Sequence, residues 1–351
     1  MGSIIIGSGM AVPDHVVTNL DLEKIMDTTD EWIRTRSGVE QRHLAEPGVG
    51  SSQLGAEAVT RALADADVDP ADVDLLVSAT MTPDHFAPGN APLIQDKAGL
   101  RHIASYEIRQ QCGGFLYGLD LADAMLASGR AITAVVVGAE VHSGYMPYGA
   151  SFDILRGTST SEPTPHDYEE ATAARAWAVL FGDGAGACVM RRDERPDVGF
   201  LATALHSDGG NFDLIHVPGM GFVNQPYIDA EQLEAKQHWP QMNGMELFRQ
   251  AVRSMPSAVH TVLDRCDMTI DDVELIVAHQ ANDRILEGIR KQLGVTAKTL
   301  PSNIAKYGNT TAGTLPILFH EKRSALSSGD IVCFTAFGAG AHWGAALYRT
   351  P

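Results

Sequence analysis

The sequence lacks the marks of several large classes of protein. It has only four cysteines in 351 residues, and no two of them form a CxxC pair, which argues against a disulfide framework and against a zinc site. No apolar run is long enough to span a bilayer, and the N-terminus has neither the basic segment nor the long apolar segment of a secretory signal. These absences predict a protein of the cytoplasm that needs no metal and binds no membrane.

Positive charge is also scarce. There are 26 lysines and arginines against 44 aspartates and glutamates, so the formal net charge is −18. A chain this acidic repels phosphates, and we predict no nucleic-acid partner, although a local basic patch could still bind an acidic protein. With 44% hydrophobic residues, the chain can bury one large core or two fused cores.

An internal repeat is the strongest pattern that the sequence does contain. At a shift of 200 residues, the matching pairs are 72–78 with 272–278, 128–129 with 328–329, 138–139 with 338–339, and His142 with His342. Farther along, residues 186–191 match residues 344–349 at an offset of only 158, so the first half carries about 42 extra residues. We therefore predict two related halves, 1–192 and 193–351, with an insertion at about 144–175 in the first.

Each half alternates between strand-like and helix-like segments. The predicted strands are 3–12, 73–80, 132–138, 176–190, 199–205, 273–279, 331–337 and 344–348, and the predicted helices are 51–66, 115–125, 244–266 and the segment after Gly313. This alternation predicts βαβ units with largely parallel, buried sheets, so we expect an α/β fold in which two duplicated halves stack as α/β/α/β/α. Residues 144–173, with three prolines and a Ser/Thr cluster, are predicted to form a loop-rich insertion.

Cys112 lies at a predicted strand-to-helix corner, where Gly113 and Gly114 let the backbone turn sharply. A thiol at a helix N-terminus feels the positive end of the helix dipole, which favours the thiolate, although a lone cysteine is often just a small buried residue. The repeat places Asn309 in the equivalent corner of the second half, and His279 ends a buried strand. Singly, each also suits a structural role. If the halves pack around a pseudo-twofold axis, the three meet as a nucleophile with two hydrogen-bonding partners.

Several spaced segments together resemble one family of enzymes. The segments are 27–38, 106–118 around Cys112, 181–186, 279–282, 307–310 and 337–344. In this order they are similar to β-ketoacyl-acyl-carrier-protein synthase III, a condensing enzyme of the thiolase superfamily, and the resemblance runs nearly end to end. It implies a thiolase-like fold, a homodimer, and an acyltransferase reaction of fatty-acid or polyketide synthesis that needs no cofactor.

The resemblance implies a reaction in two stages. Cys112 attacks an acyl-CoA and keeps the acyl group. A malonyl thioester, expected on an acidic acyl carrier protein, then loses CO₂ and attacks the acyl-cysteine to give a β-ketoacyl thioester. His279 and Asn309 would donate hydrogen bonds to the oxygen that becomes negative during decarboxylation. The backbone N–H groups of Cys112 and Ala339 would form the oxyanion hole for the acyl group, with an uncertainty of one residue for Ala339.

Further residues carry over from the family by position. Trp32 and Arg36 would hold the adenine and a phosphate of CoA, and Asn282 would contact its pantetheine arm, although Arg36 could instead form a local ion pair. Phe115 and Phe337 would line the acyl pocket, or else they are ordinary core residues. A basic rim for docking the carrier protein, unless it is simply solvated helix surface, would consist of Arg249, Arg253, Arg284, Arg290 and Lys291.

Relatives with other activities can be separated by single residues. Chain-elongating synthases have a histidine in place of Asn309, thiolases have a second cysteine within 338–344, and hydroxymethylglutaryl-CoA synthases have a glutamate where this sequence has Met81. All three are therefore disfavoured. Relatives that only pass an acyl group to an alcohol or amine often lose or alter the Asn or His position, so the presence of both His279 and Asn309 favours condensation, while acyl transfer and a catalytically silent scaffold stay open.

The sequence departs from the family at two places: Gln110 and Gln111 stand where the housekeeping enzymes usually have small apolar residues, and the insertion is longer than the loop of short-chain enzymes. We therefore expect a primer other than acetyl, such as a medium- or long-chain acyl-CoA.

Overall fold

Two β-sheets form the centre of the molecule, which a computed structural model describes from residue 2 to residue 351. The strands are β1 (Gly2–Ala11), β2 (Val16–Thr18), β3 (Gln41–His43), β4 (Leu75–Ala79), β5 (Ala104–Ile108), β6 (Thr133–Glu140), β7 (Gly184–Asp193), β8 (Gly199–Ser207), β9 (Ile215–His216), β10 (Gln241–Met242), β11 (Val273–Ala278), β12 (Ile331–Gly338) and β13 (His342–Arg349). The α-helices are α1 (Asn19–Leu22), α2 (Asp30–Ser37), α3 (Ser51–Ala66), α4 (Ala91–Lys97), α5 (Gly114–Ala127), α6 (Ser151–Leu155), α7 (Pro165–Ala178), α8 (Ala230–Glu234), α9 (Gly244–Asp264), α10 (Asp283–Leu293), α11 (Ile304–Tyr307) and α12 (Thr314–Arg323).

The two sheets share one strand order. The first runs β1-β7-β6-β4-β5 and the second runs β8-β13-β12-β11, so each strand of the second sheet has a counterpart in the first, which also carries β5 at its edge. Within these sheets only β4–β5, β4–β6 and β11–β12 are parallel pairs, and the remaining pairs are antiparallel. The prediction of largely parallel sheets was therefore wrong, because antiparallel strands flank the parallel ones. The division of the chain after residue 192 stays a prediction.

Helices α5 and α12 lie between the two sheets. Phe115 of α5 and Phe319 of α12 are buried in one apolar cluster that also contains Val77 of β4 and Phe334 of β12. Helix α3 covers the outer face of the first sheet, and α9 and α10 cover the outer face of the second. Burial of these apolar faces stabilises the five layers, and the predicted α/β/α/β/α order is confirmed.

Helix α3 spans the predicted residues 51–66. Its alanines Ala58 and Ala62 recur at helical spacing on the buried face. The helix lies so close to β1 that a Cβ on Gly9 would overlap its backbone, so a side chain larger than hydrogen is excluded there.

Two tight turns lead the chain into the central helices. Residues 110–114 and 310–314, here called the first corner and the second corner, pass through short 3₁₀ segments into α5 and α12. Each corner contains a residue with positive φ, which is Gln111 (50°) in the first and Thr311 (42°) in the second. A left-handed backbone is rare for residues other than glycine. Its occurrence at the same position of the repeat indicates that the two halves have retained the same turn.

The insertion between β6 and β7 differs from its prediction. The sequence predicts a loop over 144–173 and a strand from residue 176, but α6 and α7 lie in this segment and β7 begins only at Gly184. Pro165 is in the first turn of α7, where proline is tolerated, and the Thr164 side chain caps the helix by accepting a backbone N–H. The prolines therefore mark the start of a helix, and the loop prediction was wrong for this part of the chain.

Candidate active site

The first corner carries Cys112 from the end of β5 into α5. A Cβ on Gly114 would lie 2.9 Å from Ala79 Cβ at the end of β4, so glycine allows the helix to start close against the sheet. Cys112 is partly exposed. The predicted strand-to-helix corner is confirmed.

The end of β12 packs directly against the first corner. A Cβ on Gly338 would lie 2.9 Å from Gln110 O and 3.1 Å from Cys112 N. Ala339 follows in the turn between β12 and β13, and its backbone N–H donates to no acceptor within residues 2–351. The Ala339 N–H is therefore unused, and it follows Gly338, which packs against the backbone of Cys112. Such a donor suits an oxyanion hole, and that role of Ala339 stays a prediction.

His279 follows the last residue of β11, and its backbone N–H donates to Thr335 O of β12 at 2.9 Å. The side chain is buried, and neither ring nitrogen has a hydrogen-bond partner among the described residues. Loss of solvation lowers the pKa of His279 to about 3, so the ring is neutral at physiological pH. Buried polar groups are normally paired, so an unpaired ring indicates a place for a ligand atom.

Asn309 lies between α11 and the second corner and is only 4% exposed. Its Oδ1 accepts a hydrogen bond from Thr311 N at 2.8 Å. Because a backbone N–H can only donate, the amide atom that accepts this bond must be the oxygen. The NH₂ group therefore points away from the Thr311 N–H. The NH₂ group donates to no residue within 2–351, so a second donor at the site is unused.

Gln280 connects the segments that carry His279 and Asn309. Its buried Oε1 accepts hydrogen bonds from Ser302 Oγ at 3.0 Å, Asn303 N at 2.9 Å and Ile304 N at 3.0 Å. These bonds hold the start of α11 against the end of β11. The sequence match at 279–282 includes this glutamine, but its bridging role is visible only in the structure.

The two corners also contact each other. A Cβ on Gly114 would lie 3.9 Å from Ala312 Cβ of the second corner. Strand β12 links the first corner to His279, because Thr335 accepts the His279 N–H while the end of the strand lies against the first corner. The elements that carry the three predicted catalytic residues therefore meet, and the roles of those residues in a reaction stay predictions.

The environment of the Cys112 thiol disfavours its charged form. Burial raises the pKa of the thiol to about 12, the nearby Glu140 carboxylate adds to that rise, and the backbone N–H of Cys112 opposes it. The favourable effect of the helix dipole on the thiolate is therefore opposed by burial of the thiol and by the Glu140 charge, and the state of the thiol in the free site stays a prediction. The thiol must lose its proton as it attacks.

Trp32 on α2 is partly buried and lies beside two guanidinium groups. The Arg36 guanidinium lies 4.5 Å from the centroid of the ring, and that of Arg175 on α7 lies 5.1 Å from it. Arg36 forms no ion pair within residues 2–351, so the alternative of a local ion pair was wrong. Arg175 was missed from the sequence because its segment resembles a loop, although the alanine-rich pattern at 171–178 is typical of a helix.

Three other predicted residues have clear structural roles. Asn282 caps α10, since its Oδ1 accepts a hydrogen bond from Ile285 N at 3.0 Å. Phe115 is fully buried between the sheets, and Phe337 is buried against the layer of α9 and α10. The phenylalanines thus fit the alternative of ordinary core residues, and the contacts with CoA and the acyl chain stay predictions.

The predicted basic rim lies on α9 and α10, which pack together. Its exposed members are Arg249, Arg253, Arg284 and Lys291. Arg290 differs from them, because its side chain is only 11% exposed, donates to Leu300 O at 3.0 Å and pairs with Glu287 at 3.2 Å. Since the Arg290 side chain is largely buried, the exposed part of the rim consists of the other four residues.

The chain matches known proteins over its whole length. Residues 106–159 and 163–209 match the family profile of 3-oxoacyl-[acyl-carrier-protein (ACP)] synthase III, and residues 263–350 match the profile of its C-terminal part. The β-ketoacyl-[acyl-carrier-protein] synthase III of Desulfitobacterium hafniense (strain Y51) is 37% identical over 347 residues, which are 98% of this chain and 97% of the relative.

Solved structures agree with this match. The 3-oxoacyl-(acyl carrier protein) synthase III from Pseudomonas aeruginosa PAO1 superposes with a TM-score of 0.84 at 34% identity, over 100% of this chain and 99% of that chain. The priming β-ketosynthase of the R1128 polyketide biosynthetic pathway superposes with a TM-score of 0.81 at 28% identity, over 99% and 96% of the two chains.

Fold and sequence together define a condensing enzyme of the thiolase-like fold. More narrowly, the chain belongs to the 3-oxoacyl-[acyl-carrier-protein] synthase III family. From residue 2 onward, no helix has both the length and the apolar character to cross a membrane. The same residues contain no group of three or more His, Cys, Asp or Glu side chains that could hold a metal ion.

Proposed function

We propose that this enzyme takes the acyl group of an acyl-CoA onto Cys112 and condenses it with a malonyl thioester on an acidic acyl carrier protein. The product is a β-ketoacyl thioester for fatty-acid or polyketide synthesis. One observation carries the proposal: in residues 2–351 the buried His279 ring has no hydrogen-bond partner and the Asn309 NH₂ group has no acceptor, and both lie on elements that meet the Cys112 corner. An oxygen that gains charge during the reaction is the partner such donors would serve.

In the first stage, Cys112 Sγ bonds to the thioester carbon of the acyl-CoA and the bond to the CoA sulfur breaks. The thiol proton leaves with the CoA, because the high pKa of Cys112 keeps the thiol protonated until it attacks. The negative oxygen of the tetrahedral intermediate is stabilised by the backbone N–H groups of Cys112 and Ala339.

In the second stage, the bond between the malonyl carboxylate and its α-carbon breaks and CO₂ leaves. The bonding electrons form an enolate, whose oxygen accepts hydrogen bonds from the neutral His279 ring and the Asn309 NH₂ group. Each such donor is typically worth roughly 3–4 kcal/mol of barrier. The enolate carbon then bonds to the acyl carbon, and the Cys112 sulfur leaves and regains a proton.

The binding surfaces follow from the exposed groups near α2, α9 and α10. The face of Trp32 with its neighbours Arg36 and Arg175 suits the adenine and phosphates of CoA, and Asn282 would contact the pantetheine arm. The acidic carrier protein would dock on the exposed basic residues of α9 and α10. The proposed cycle uses no cofactor and takes place in the cytoplasm.

A second copy of the chain is proposed to cover the free edge of the first sheet. Strand β5 pairs only with β4, and Ala104, Ser105 and Tyr106 are exposed along it, Tyr106 by 43%. An uncovered edge strand invites pairing with another chain. Antiparallel pairing of two β5 strands would give a homodimer with one continuous sheet, and light scattering would test its mass.

The primer is proposed to be longer than acetyl, because Gln110 and Gln111 precede the nucleophile where the housekeeping enzymes of the family usually have small apolar residues. Insertion helix α7 contributes Arg175 beside Trp32, so the insertion also shapes the side on which CoA would enter. If acetyl-CoA loads about tenfold faster than octanoyl-CoA, this part of the proposal is wrong.

Intact-protein mass spectrometry after incubation with acyl-CoAs from acetyl to palmitoyl tests the first stage. One acyl adduct on the native chain and none on Cys112→Ala is the expected result, and the adduct names the primer. Adding the malonyl thioester should then release CO₂ and a β-ketoacyl product. An adduct that moves to an alcohol or amine without CO₂ release would favour simple acyl transfer, and no adduct at all would favour the scaffold.

A further inference from the structure

The segment between α7 and β7 has no role in the proposed reaction, although residues 181–186 are among the segments that resemble the family. Residues 180–183, here called the strap, lie against the backbone of Asn309. Asn309 N donates to Leu180 O at 2.8 Å, and Gly182 N donates to Asn309 O at 3.2 Å. The strap, which belongs to the first half of the chain, therefore holds both backbone polar groups of Asn309.

The strap can come this close to the second half because Gly182 has no side chain. A Cβ on Gly182 would overlap Tyr307 O at the end of α11. Asp183, at the end of the strap, is fully buried, and its carboxylate accepts hydrogen bonds from Ala45 N at 2.7 Å and Ser143 N at 2.9 Å. These bonds fix the end of the strap that leads into β7.

His142 supports the middle of the strap. Its ring is 2% exposed and stacks on the Phe181 ring, with 4.7 Å between the centroids and 16° between the planes. His142 Nδ1 lies 3.0 Å from Gly182 O, and since a carbonyl can only accept, Nδ1 carries the hydrogen. Burial lowers the pKa of His142 to about 4, so the ring is neutral at physiological pH and its Nε2 is an acceptor. One side chain thus contacts the part of the strap that pairs with Asn309.

The second ring nitrogen of His142 faces the second corner. Thr311 Oγ1 lies 3.5 Å from Nε2, and because Nε2 has no hydrogen, the hydroxyl is the donor of this long hydrogen bond. The Thr311 N–H in turn donates to Asn309 Oδ1 at 2.8 Å. His142 is therefore linked to Asn309 on two sides, to its backbone through the strap and to its amide through Thr311.

We propose that His142 is a positioning residue for decarboxylation: it holds the strap and Thr311 so that the Asn309 NH₂ group points at the enolate oxygen. The inference rests on the function proposed above, and it assigns a residue of the first half to the donor of the second half. Within residues 2–351, His142 has no hydrogen bond to the first corner. Substitution of His142 should therefore affect one of the two stages and not the other.

The two stages can be measured separately in the full-length enzyme. His142→Phe keeps a ring that can stack on Phe181 but removes both nitrogens, so the buried Gly182 O loses its partner and the strap shifts. The kcat of malonyl-thioester decarboxylation should fall by about tenfold or more with little change in KM, because the donor is misplaced while substrate binding is kept. Self-acylation of Cys112 should stay near the native rate, which also shows that the variant is folded.

His142→Asn separates positioning from packing. Its side-chain NH₂ group can donate to Gly182 O in place of Nδ1, so its decarboxylation rate should stay within about threefold of the native rate. A role in packing alone predicts the reverse order of the two variants, because asparagine is smaller than the ring and leaves a cavity, whereas phenylalanine fills the space.

His320→Phe is the matched control, because His320 also has one ring nitrogen in a hydrogen bond, at 3.0 Å from Ser8 Oγ, and lies in the last turn of α12. It should leave both stages unchanged. Equal loss of both stages in His142→Phe, decarboxylation at the native rate in that variant, or a slower rate in His142→Asn than in His142→Phe overturns the inference while the proposed function stands. A native enzyme that releases no CO₂ overturns the proposed function and this inference with it.

Discussion

The first and second corners have the same backbone but opposite surroundings. Each enters a central helix through a left-handed residue, and each is backed by a glycine from the sheet of the other half, Gly338 for the first corner and Gly138 for the second. The first corner is partly open and carries Cys112, whereas the second is buried and carries Ala312 at the equivalent position.

The difference shows how one duplicated turn can serve two purposes. In the proposed reaction the turn of the first half would present Cys112 to the substrate, and the buried turn of the second half would support Asn309. Hydrogen bonds from both halves meet at the second corner, as at Thr311, while the first corner relies mainly on close backbone packing. We therefore expect acylation and decarboxylation to respond to different substitutions.

The largest expected effect is on acylation. Cys112→Ala should abolish the acyl adduct, and adding Ala312→Cys to it should not restore the adduct, because position 312 is fully buried in the second corner. Intact-protein mass spectrometry with an acyl-CoA checks this. An adduct on the double variant would show that the two corners are interchangeable and that burial does not separate their roles.

The second largest effect is expected on decarboxylation when the Asn309 NH₂ donor is removed. Asn309→Asp keeps an acceptor for the Thr311 N–H but removes the NH₂ group and adds a charge that repels the enolate. Decarboxylation should fall by roughly 10²–10³ or more, while self-acylation stays near the native rate. Release of CO₂ from a malonyl thioester measures the effect, and a native rate in this variant would remove Asn309 from the proposed mechanism.

The two backing glycines give a matched pair of smaller effects. Gly338→Ala should push on Gln110 and slow acylation, whereas Gly138→Ala should push on Ala312 and slow decarboxylation. Each should lower the free energy of unfolding by about 1–3 kcal/mol through overpacking.

The control for the glycine pair is Gly244→Ala, because a Cβ there meets nothing within 4 Å. It should change neither stage and should leave stability close to native. If Gly338→Ala and Gly138→Ala affect the same stage, the division between the corners is wrong.

The smallest expected effect is on the pH dependence of stability. His279 has a pKa of about 3 in the folded chain and near 6.5 when unfolded, so the unfolded state binds more protons between these values. The folded state should lose stability as pH falls below 6.5, by about 2 kcal/mol at pH 5 from this residue. Urea unfolding of His279→Asn at pH 7 and pH 5 should show a smaller drop than the native enzyme shows.

His102→Asn serves as the control for this pH effect, since His102 is exposed. Its loss of stability between pH 7 and pH 5 should equal that of the native enzyme. An equal drop in His279→Asn as well would mean that the ring of His279 is solvated in the folded state.

The sequence predicted the layers and the Cys112 corner well, because both depend on local patterns. Paired glycines after a strand and an apolar helical period suffice to locate a corner, and the 200-residue repeat relates the strands of the two sheets. The sequence failed where the outcome depends on contacts between distant segments. Arg290 resembles any helix cation until Leu300 and Glu287 are found beside it.

The pKa of Cys112 could not be predicted for the same reason. The helix dipole is visible in the sequence, but the burial of the thiol and the Glu140 charge that oppose it depend on contacts between segments distant in the sequence. The prediction of a loop in the insertion was wrong for a different reason. Pro165 can begin a helix or interrupt one, and only Thr164 before it and the alanines after it indicate that it begins one.

The division of work between the corners is tested most directly by comparing Cys112→Ala with Asn309→Ala in both stages. With an acyl-CoA and a malonyl thioester supplied separately, Cys112→Ala should release CO₂ without forming an acyl adduct, and Asn309→Ala should form the adduct without releasing CO₂. Loss of both activities in each variant, or native decarboxylation by Asn309→Ala, would contradict the account.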